Sequence, residues 1–190
     1  MEFEYLTFTN QHDLIDGVVL HQLKINRDPR GFLVETLKES WDDVFHRPDL
    51  QFGQNYCSVT VPGFARDEDK WHNHPNKQTD RFVVIKGSAV FALYDWRKDS
   101  PTYQKLNLFL MGEKNGDENQ FLLLIPKNVL HGFCTVEDEA CYLLGFPDHT
   151  YDPTEEGRVP FGDVNAKLPN GQTFSWEAIR NHFSTNLPQK

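Results

Sequence analysis

The stretch that decides the fold is Trp71-His72-Asn73-His74, followed by Asp80 and then by Gly87. In a β-strand, side chains two residues apart point to the same face, so His72 and His74 are expected to project into one space. A turn after His74 would allow the next strand to return the Asp80 carboxylate beside them. The spacing therefore predicts a polar cluster on one face of a sheet.

A distant stretch, Pro126-Lys127-Asn128-Val129-Leu130-His131, supplies a third imidazole. Pro126 ends a dense apolar run, and a tight turn at Asn128 would place His131 at the start of the next strand. Asparagine adopts the left-handed backbone conformation more readily than most other non-glycine residues, so it suits such a turn. We therefore expect His131 to join the cluster.

The rest of the middle of the chain is a series of short apolar runs separated by turn residues. These runs are residues 55–61, 82–85, 89–94, 106–111, 121–125, 132–136 and 141–146. Such spacing is typical of an all-β sandwich or barrel. Residues 82–85 and 89–94 are predicted to form a hairpin that turns at Gly87 and Ser88. A short helix is predicted over residues 176–183, with Ser175 as its N-cap.

Composition restricts the partners and the location of the protein. The 190 residues carry a net charge of −9, so no nucleic-acid partner is expected. No run approaches the ~20 apolar residues that span a bilayer, and the N-terminus does not resemble a signal peptide. The three cysteines, Cys57, Cys134 and Cys141, form no CxxC pair, which favours a reducing compartment. We expect a cytoplasmic protein without membrane contact.

The two histidine segments resemble the two motifs of the cupin superfamily. Asp80 stands where the first motif usually has glutamate, and Asn128 stands at a glycine position of the second. The resemblance implies an all-β fold, a cupin double-stranded β-helix (jelly-roll) barrel with short peripheral helices. We expect one cupin domain over residues 1–190. Its expected parts are a barrel core at about residues 50–150, an N-terminal arm over 1–49 and a C-terminal arm over 151–190.

Further segments resemble one branch of the cupins, the dTDP-4-dehydrorhamnose 3,5-epimerases and related isomerases. The resemblance runs from about Val18 to Trp176. The segments that carry it are Asp28-Pro29-Arg30-Gly31-Phe32-Leu33-Val34-Glu35, Phe52-Gly53-Gln54-Asn55 with Ser58, Asp95-Trp96-Arg97 with Ser100-Pro101-Thr102, Ile125-Pro126 with His131-Gly132-Phe133, and Tyr151-Asp152-Pro153. It implies an isomerase that acts, as a homodimer, on a nucleotide-linked 4-keto-6-deoxy sugar.

The same resemblance implies a set of substrate-binding residues. They are Arg30, Phe32, Glu35, Gln54, Asn55 and Arg97. Guanidinium groups match phosphate oxygens, so Arg30 and Arg97 are the predicted diphosphate ligands. Asp95 beside Arg97 leaves open a structural ion pair instead.

Epimerisation beside a ketone needs a base, a donor to the enolate oxygen and an acid on the opposite face. His72 falls at the family's base position, and an imidazole suits this role because its ordinary pKa is about 6.5. His131 and Arg81 are the predicted donors to the enolate oxygen. Tyr142 and Tyr151 are the predicted acids.

Two departures from the family pattern leave other functions open. The resemblance places the family's catalytic tyrosine near Gly145, and His74 replaces a glutamine. The chain also contains a ligand set suited to a divalent metal such as zinc, iron, nickel or manganese, although the epimerase chemistry requires no cofactor. That set is His72, His74, Asp80 and His131. A third interpretation is a cupin that binds a sugar nucleotide without converting it.

Overall fold

The computed structural model describes residues 3–45 and 48–186, and most of its regular structure is β-strand. The strands are β1 (Val19–Gln22), β2 (Ile25–Asp28), β3 (Gly31–Val34), β4 (Tyr56–Thr60), β5 (Lys70–Asn73), β6 (Asp80–Lys86), β7 (Ser88–Tyr94), β8 (Leu106–Gly112), β9 (Phe121–Ile125), β10 (Leu130–Thr135), β11 (Cys141–Gly145) and β12 (Gly157–Pro160). The α-helices are α1 (Phe161–Val164) and α2 (Trp176–Asn186), and short 3-10 helices lie at Glu113–Asn115, Asp117–Asn119 and Pro153–Glu155. None of the helices in the described ranges is long and apolar enough to cross a bilayer.

Two five-stranded antiparallel sheets form the walls of the barrel. Sheet 1 has the strand order β1-β9-β6-β11-β4, and sheet 2 has the order β12-β5-β10-β7-β8. Strands β2 and β3 form a separate hairpin. Because β1 and β12 pair into the two sheets, the sheets extend into both predicted arms, beyond the expected core of residues 50–150.

The predicted hairpin of residues 82–85 and 89–94 is wrong. β6 belongs to sheet 1 and β7 belongs to sheet 2, and the chain crosses between the sheets at Gly87. Gly87 has a φ of +74°, and a Cβ at this position would lie 2.5 Å from the carbonyl oxygen of Ala140. The crossing therefore requires glycine. A turn residue between two apolar runs indicates a change of direction, but it does not indicate which strands pair.

Inward-facing side chains of the two sheets form the main core. Alternate residues of β6 and β7, including Phe82, Phe91 and Leu93, meet Phe133 from β10 in this layer. The rings of Phe91 and Phe133 stack with centroids 5.0 Å apart. Large aromatic side chains bury much apolar area in such a layer, which explains the many phenylalanines of the chain.

The C-terminal segment covers the outer face of sheet 2. Trp71 points to this face, and its ring centroid lies 4.5 Å from that of Phe174, so Trp71 packs in the core. The predicted N-cap of α2 is confirmed, because the backbone N–H of Ala178 donates to the Ser175 hydroxyl oxygen at 3.2 Å. With Trp71 turned outward, the next residue of β5 must point into the barrel.

Candidate active site

Strand register places three functional side chains in a row across sheet 2. His131 on β10 is the direct partner of His72 on β5, and Arg158 on β12 is the partner of His72 on its other side. The ring centroids of His72 and His131 lie 5.0 Å apart. His74 follows two residues after His72, and its centroid lies 4.5 Å from that of His72. The structure thus brings together the three imidazoles that the sequence singled out.

Sheet 1 contributes a buried carboxylate to the same cluster. The Oδ2 atom of Asp80 lies 3.0 Å from Nε2 of His74 and 3.5 Å from Nε2 of His131. Gln78 also donates to Asp80, at 2.9 Å. Burial raises the pKa of Asp80, but the hydrogen bond and the charge of His74 outweigh burial and hold this pKa below its ordinary value. A carboxylate therefore faces the imidazoles from the opposite wall.

The turn before β10 connects the two histidine segments. Asn128 has a φ of +60°, which is the left-handed conformation predicted for it. Its backbone N–H donates to the carbonyl oxygen of His74 at 2.8 Å, and its side-chain oxygen accepts from Asn73 at 3.0 Å. These contacts hold the start of β10 against the end of β5.

Backbone carbonyls orient the two deeper imidazoles. The Nδ1 atom of His74 lies 3.1 Å from the carbonyl oxygen of Glu155, and Nδ1 of His131 lies 3.0 Å from that of Val129. A carbonyl oxygen only accepts hydrogen bonds, so each Nδ1 carries a hydrogen. Burial lowers the pKa of His131, so its ring is neutral and its Nε2 presents a lone pair to the cluster. Burial also lowers the pKa of His74, but the hydrogen bond to Asp80 and the charge of Asp80 outweigh burial and raise this pKa. An Nε2 atom without a hydrogen cannot donate to an enolate oxygen, and burial, which lowers the pKa of His131, disfavours its protonation. The predicted role of His131 as a donor therefore does not fit this tautomer.

His72 is the most accessible of the three histidines, with 18% of its side chain exposed against 5% for His74 and 7% for His131. Burial, the facing imidazoles and the guanidinium of Arg158, which contacts Nδ1, lower the pKa of His72 to about 2. The ring is therefore neutral. Glu156 lies 3.8 Å from its Nε2 atom, where a carboxylate stabilises an imidazolium when one forms.

The cluster lies in the wall of a cavity of about 420 Å³, a size typical of small-molecule sites. Gln54, Tyr56 and Ser58 line it from alternate positions of one extended segment. Arg66 and Arg158 add two guanidinium groups. A larger depression of about 590 Å³ lies elsewhere on the molecule. Its lining includes a single imidazole, His12, which pairs with Glu4 at 3.0 Å, so it offers no comparable cluster.

Arg81 lies outside this cavity, which contradicts its predicted catalytic role. It follows Asp80 on β6, so its side chain points to the outer face of sheet 1. There its guanidinium donates to the carbonyl oxygens of Phe146 at 2.7 Å, Val44 at 3.1 Å and Gln51 at 2.6 Å. Arg81 therefore holds loops against the sheet.

The two predicted tyrosine acids have different positions. Tyr142 lies on the outer face of β11, where the Lys86 ammonium is 5.8 Å from its ring centroid, while the next residue, Leu143, lines the cavity. The catalytic prediction for Tyr142 is therefore wrong. Tyr151 lines the cavity with 65% of its surface exposed, and its backbone N–H donates to Gln54. Its role stays a prediction.

Arg97 is occupied by the structural ion pair that the sequence left open. Its Nε and Nη2 atoms donate to the two carboxylate oxygens of Asp95, each at 2.9 Å, and Nη2 also donates to the carbonyl oxygen of Asp16. Arg97 does not line the cavity. The predicted contact of Arg97 with a diphosphate is therefore wrong for this chain.

The other predicted substrate-binding residues divide between cavity and surface. Gln54 lines the cavity, whereas the Asn55 amide donates to the carbonyl oxygen of Gly145 at 3.3 Å. The segment that carries Arg30, Phe32 and Glu35 packs on the outer face of sheet 1. Within this chain, none of these three residues lines the cavity.

Several cavity residues were missing from the sequence-based site. They are Tyr56, Ser58, Arg66, Gln78, Glu156 and Arg158. Residues 54, 56 and 58 alternate along one strand segment, so they share a face with the predicted site residue Gln54. This alternation could have identified Tyr56 and Ser58 from the sequence. Glu156 and Arg158 follow Tyr151-Asp152-Pro153 closely, but only the pairing of β12 with β5 shows that they reach His72.

The chain matches the family model of dTDP-4-dehydrorhamnose 3,5-epimerase over residues 12–181. It belongs to this family. The predicted resemblance and the predicted isomerase class are thereby confirmed at the level of the family. This epimerase family member shares its fold with a dTDP sugar isomerase from Desulfovibrio desulfuricans, with a TM-score of 0.68 and 27% identity, over 86% of this chain and 92% of the other. The predicted cupin barrel is therefore also confirmed.

Two relatives match this chain over most of their own length. The probable low-salt glycan biosynthesis epimerase Agl13 of Haloferax volcanii is 38% identical over 150 residues, which are 77% of this chain and 88% of the relative. The spore coat polysaccharide biosynthesis protein SpsL of Bacillus subtilis is 34% identical over 152 residues, which are 79% of this chain and 92% of the relative. Both names refer to the biosynthesis of glycans or polysaccharides.

Proposed function

We propose that this family member epimerises a nucleotide-linked 4-keto-6-deoxy sugar at a carbon beside the ketone, C3 or C5. The observation that carries the proposal is the neutral, accessible imidazole of His72 in the wall of a cavity of about 420 Å³. Membership in an epimerase family supports the same reaction class. Proton transfer of this kind is redox-neutral, so it needs no cofactor.

The cavity residues have distinct roles in this proposal. His72 removes the proton beside the ketone, and Glu156 stabilises the resulting imidazolium. Arg158, which touches His72, stabilises the enolate oxygen as negative charge develops there. Arg66 replaces Arg97 as the guanidinium that contacts the diphosphate, because Arg66 lies in the cavity wall.

Solvent deuterium uptake tests the reaction. The parent protein, incubated in D₂O with dTDP-4-keto-6-deoxyglucose, is expected to place deuterium at C3 or C5, as read by NMR. His72→Asn is expected to lower this rate by about 10³-fold, within the range for removal of a general base. His12→Asn is the matched control, since His12 lies in the other depression. Absence of uptake by the parent, or full uptake by His72→Asn, contradicts the proposal.

We propose that the protein is a homodimer whose partner completes the site. β4 is an edge strand of sheet 1, and Val59, Val61 and Phe64 expose 45–58% of their surface beside it. Arg30 is 89% exposed in its side chain and lies outside the cavity of its own chain. A symmetric dimer can bring such a residue to the cavity of the partner.

A mixing experiment tests this arrangement. Arg30→Ala and His72→Asn are expected to be nearly inactive alone, because each damages every site of a homodimer. After unfolding and refolding together in equal amounts, half of the dimers contain one intact site, so about one quarter of parental activity should return. A monomer by sedimentation, or no recovered activity in the mixture, refutes the shared site.

The three free cysteines support a cytoplasmic location.

The atoms at the centre of the cluster favour a second proposal. The Nε2 atoms of His72 and His74 lie 3.0 Å apart, and one nitrogen from each of the three imidazoles lies within 4.8 Å of the others. Nε2 of His131 is buried and forms no hydrogen bond with any described residue. We propose, as the alternative function, that these rings and Asp80 bind a divalent ion such as zinc, iron, nickel or manganese. Carbonyl contacts to Nδ1 orient the rings of His74 and His131 as is usual for metal-binding histidines.

Metal analysis separates the two proposals, because His72 serves either as a base or as a ligand. Titration of the purified protein with Zn²⁺ is expected to reach one equivalent, and His131→Gln is expected to weaken binding by about 10-fold or more. His12→Gln is the control, since His12 lies outside the cluster. Less than about a tenth of an equivalent, both as purified and after titration, rules the metal proposal out.

A further inference from the structure

A tyrosine stands over a glycine in the sheet 1 wall of the cavity. Tyr56 on β4 and Gly145 on β11 are direct cross-strand partners. A Cβ added to Gly145 would lie 2.7 Å from both Cε atoms of the Tyr56 ring and closer still to its Cζ atom. Glycine at position 145 is therefore what permits the Tyr56 ring to lie across β11. The sequence resemblance expects the family's catalytic tyrosine near this position.

Tyr56 and His72 belong to opposite walls of the cavity. Tyr56 is part of sheet 1, whereas His72 and its neighbour His131 are part of sheet 2. All three line the same cavity. A sugar ring held between the walls presents one face to the His72 imidazole and the other to the Tyr56 phenol. Inversion at carbon requires proton removal and proton return on opposite faces, so this placement matches the stereochemical demand.

The surroundings of Tyr56 keep its hydroxyl protonated and accessible. The residue is 38% exposed and lines the cavity, and its hydroxyl forms no hydrogen bond with any described residue. Burial, followed by the negative charges of Asp80 and Glu156, raises the pKa of Tyr56 above its ordinary value. A phenol with these properties can donate a proton to a strongly basic enolate carbon.

We propose that Tyr56 is the catalytic acid of the epimerisation, positioned through Gly145. His72 takes the proton from the carbon beside the ketone, and the C–H electron pair forms the enolate. Tyr56 then gives its hydroxyl proton to the opposite face of that carbon, and the ketone returns. The phenolate regains a proton from water, and the imidazolium releases one, so protons balance. This inference rests on the proposed epimerase function.

Separate measurement of exchange and inversion tests the inference. Parent and Tyr56→Phe are incubated with dTDP-4-keto-6-deoxyglucose in D₂O, and borohydride reduction then fixes the configuration for NMR. Without the acid, His72 still removes a proton and returns a deuteron to the same face. Tyr56→Phe is therefore expected to lose about 10²-fold or more in inversion while deuterium exchange into recovered substrate falls by less than about 10-fold.

Two further variants complete the test. Gly145→Ala keeps the hydroxyl but displaces the ring, and it is expected to show the same split between exchange and inversion. Tyr142→Phe is the matched control, because its hydroxyl lies on the outer face of sheet 1; inversion should stay within about twofold of the parent. Thermal unfolding checks that every variant is folded.

The outcomes for Tyr56 and for the proposed function are distinguishable. Inversion by Tyr56→Phe within about threefold of the active parent, or equal losses of exchange and inversion, overturns the role of Tyr56 alone. A parent that neither exchanges nor inverts overturns the epimerase proposal, and the role of Tyr56 is lost with it.

Discussion

Asp80 and Arg81 are adjacent on β6, both are buried, and they serve different parts of the molecule. Asp80 points between the sheets and contacts the imidazoles of the cavity. Arg81 points to the outer face of sheet 1 and donates to three backbone carbonyls. The alternation of side chains along a strand decides which of two neighbouring charges belongs to the site. A charged residue next to a site residue is thus a poor candidate for catalysis when both are on one strand.

The largest predicted effect concerns the outer face. Arg81→Met is expected to lower the free energy of unfolding by about 3–5 kcal/mol, because three backbone carbonyl oxygens, two of them in buried hydrogen bonds, lose a charged donor. Urea unfolding measures this change. Arg81→Lys is the matched variant, since it keeps the charge but cannot reach all three oxygens, and it should fall between Met and the parent. An Arg81→Met protein as stable as the parent would contradict the structural role.

The inner face is expected to respond in activity instead. Asp80→Asn removes the negative charge beside His74 and His131 but keeps the shape of the side chain. We expect kcat/KM for epimerisation to fall by about 10²-fold, or about 2.7 kcal/mol, with a smaller change in unfolding free energy. Steady-state kinetics and urea unfolding of the same preparations give both quantities. Unchanged kinetics would separate Asp80 from the site.

A third prediction concerns the charge pair at the end of β7. Asp95 is fully buried and accepts from Arg97, Ser100 and Thr102, and these contacts outweigh burial and hold its pKa below the ordinary value. Asp95→Asn should lower unfolding free energy by about 1–3 kcal/mol at pH 7. Because the pKa of Asp95 is lower in the folded state, the carboxylate contributes its full stability above the unfolded-state pKa of about 3.9. This contribution is lost as the pH falls through the folded-state pKa.

The pH dependence supplies the control for that prediction. The stability difference between Asp95→Asn and the parent should be constant from pH 7 to about pH 5 and should shrink below about pH 4. Unfolding by urea at several pH values measures it. A difference that stays constant down to about pH 2 would show that the carboxylate charge of Asp95 does not contribute.

The smallest predicted effect returns to the two faces of sheet 1. Tyr142→Phe is expected to change unfolding free energy by less than about 0.5 kcal/mol, because the Tyr142 ring stays in place and its hydroxyl lies outside the core. Urea unfolding measures this change, with Tyr56→Phe, on the inner face of the same sheet, as the comparison variant. A decrease in unfolding free energy above about 1 kcal/mol would contradict the prediction, because it would mean that the Tyr142 hydroxyl makes a stabilising interaction.

The amino-acid sequence by itself determined the fold class and the histidine cluster. Both follow from local rules: side chains two apart share a strand face, and Asn128 allows the turn that starts β10. Three things were decided only by tertiary structure: that β6 and β7 belong to different sheets, that Arg81, Arg97 and Tyr142 lie outside the cavity, and that Tyr56 lies over Gly145. The physical reason is that strand pairing and register are long-range contacts, and register assigns each side chain to one face or the other.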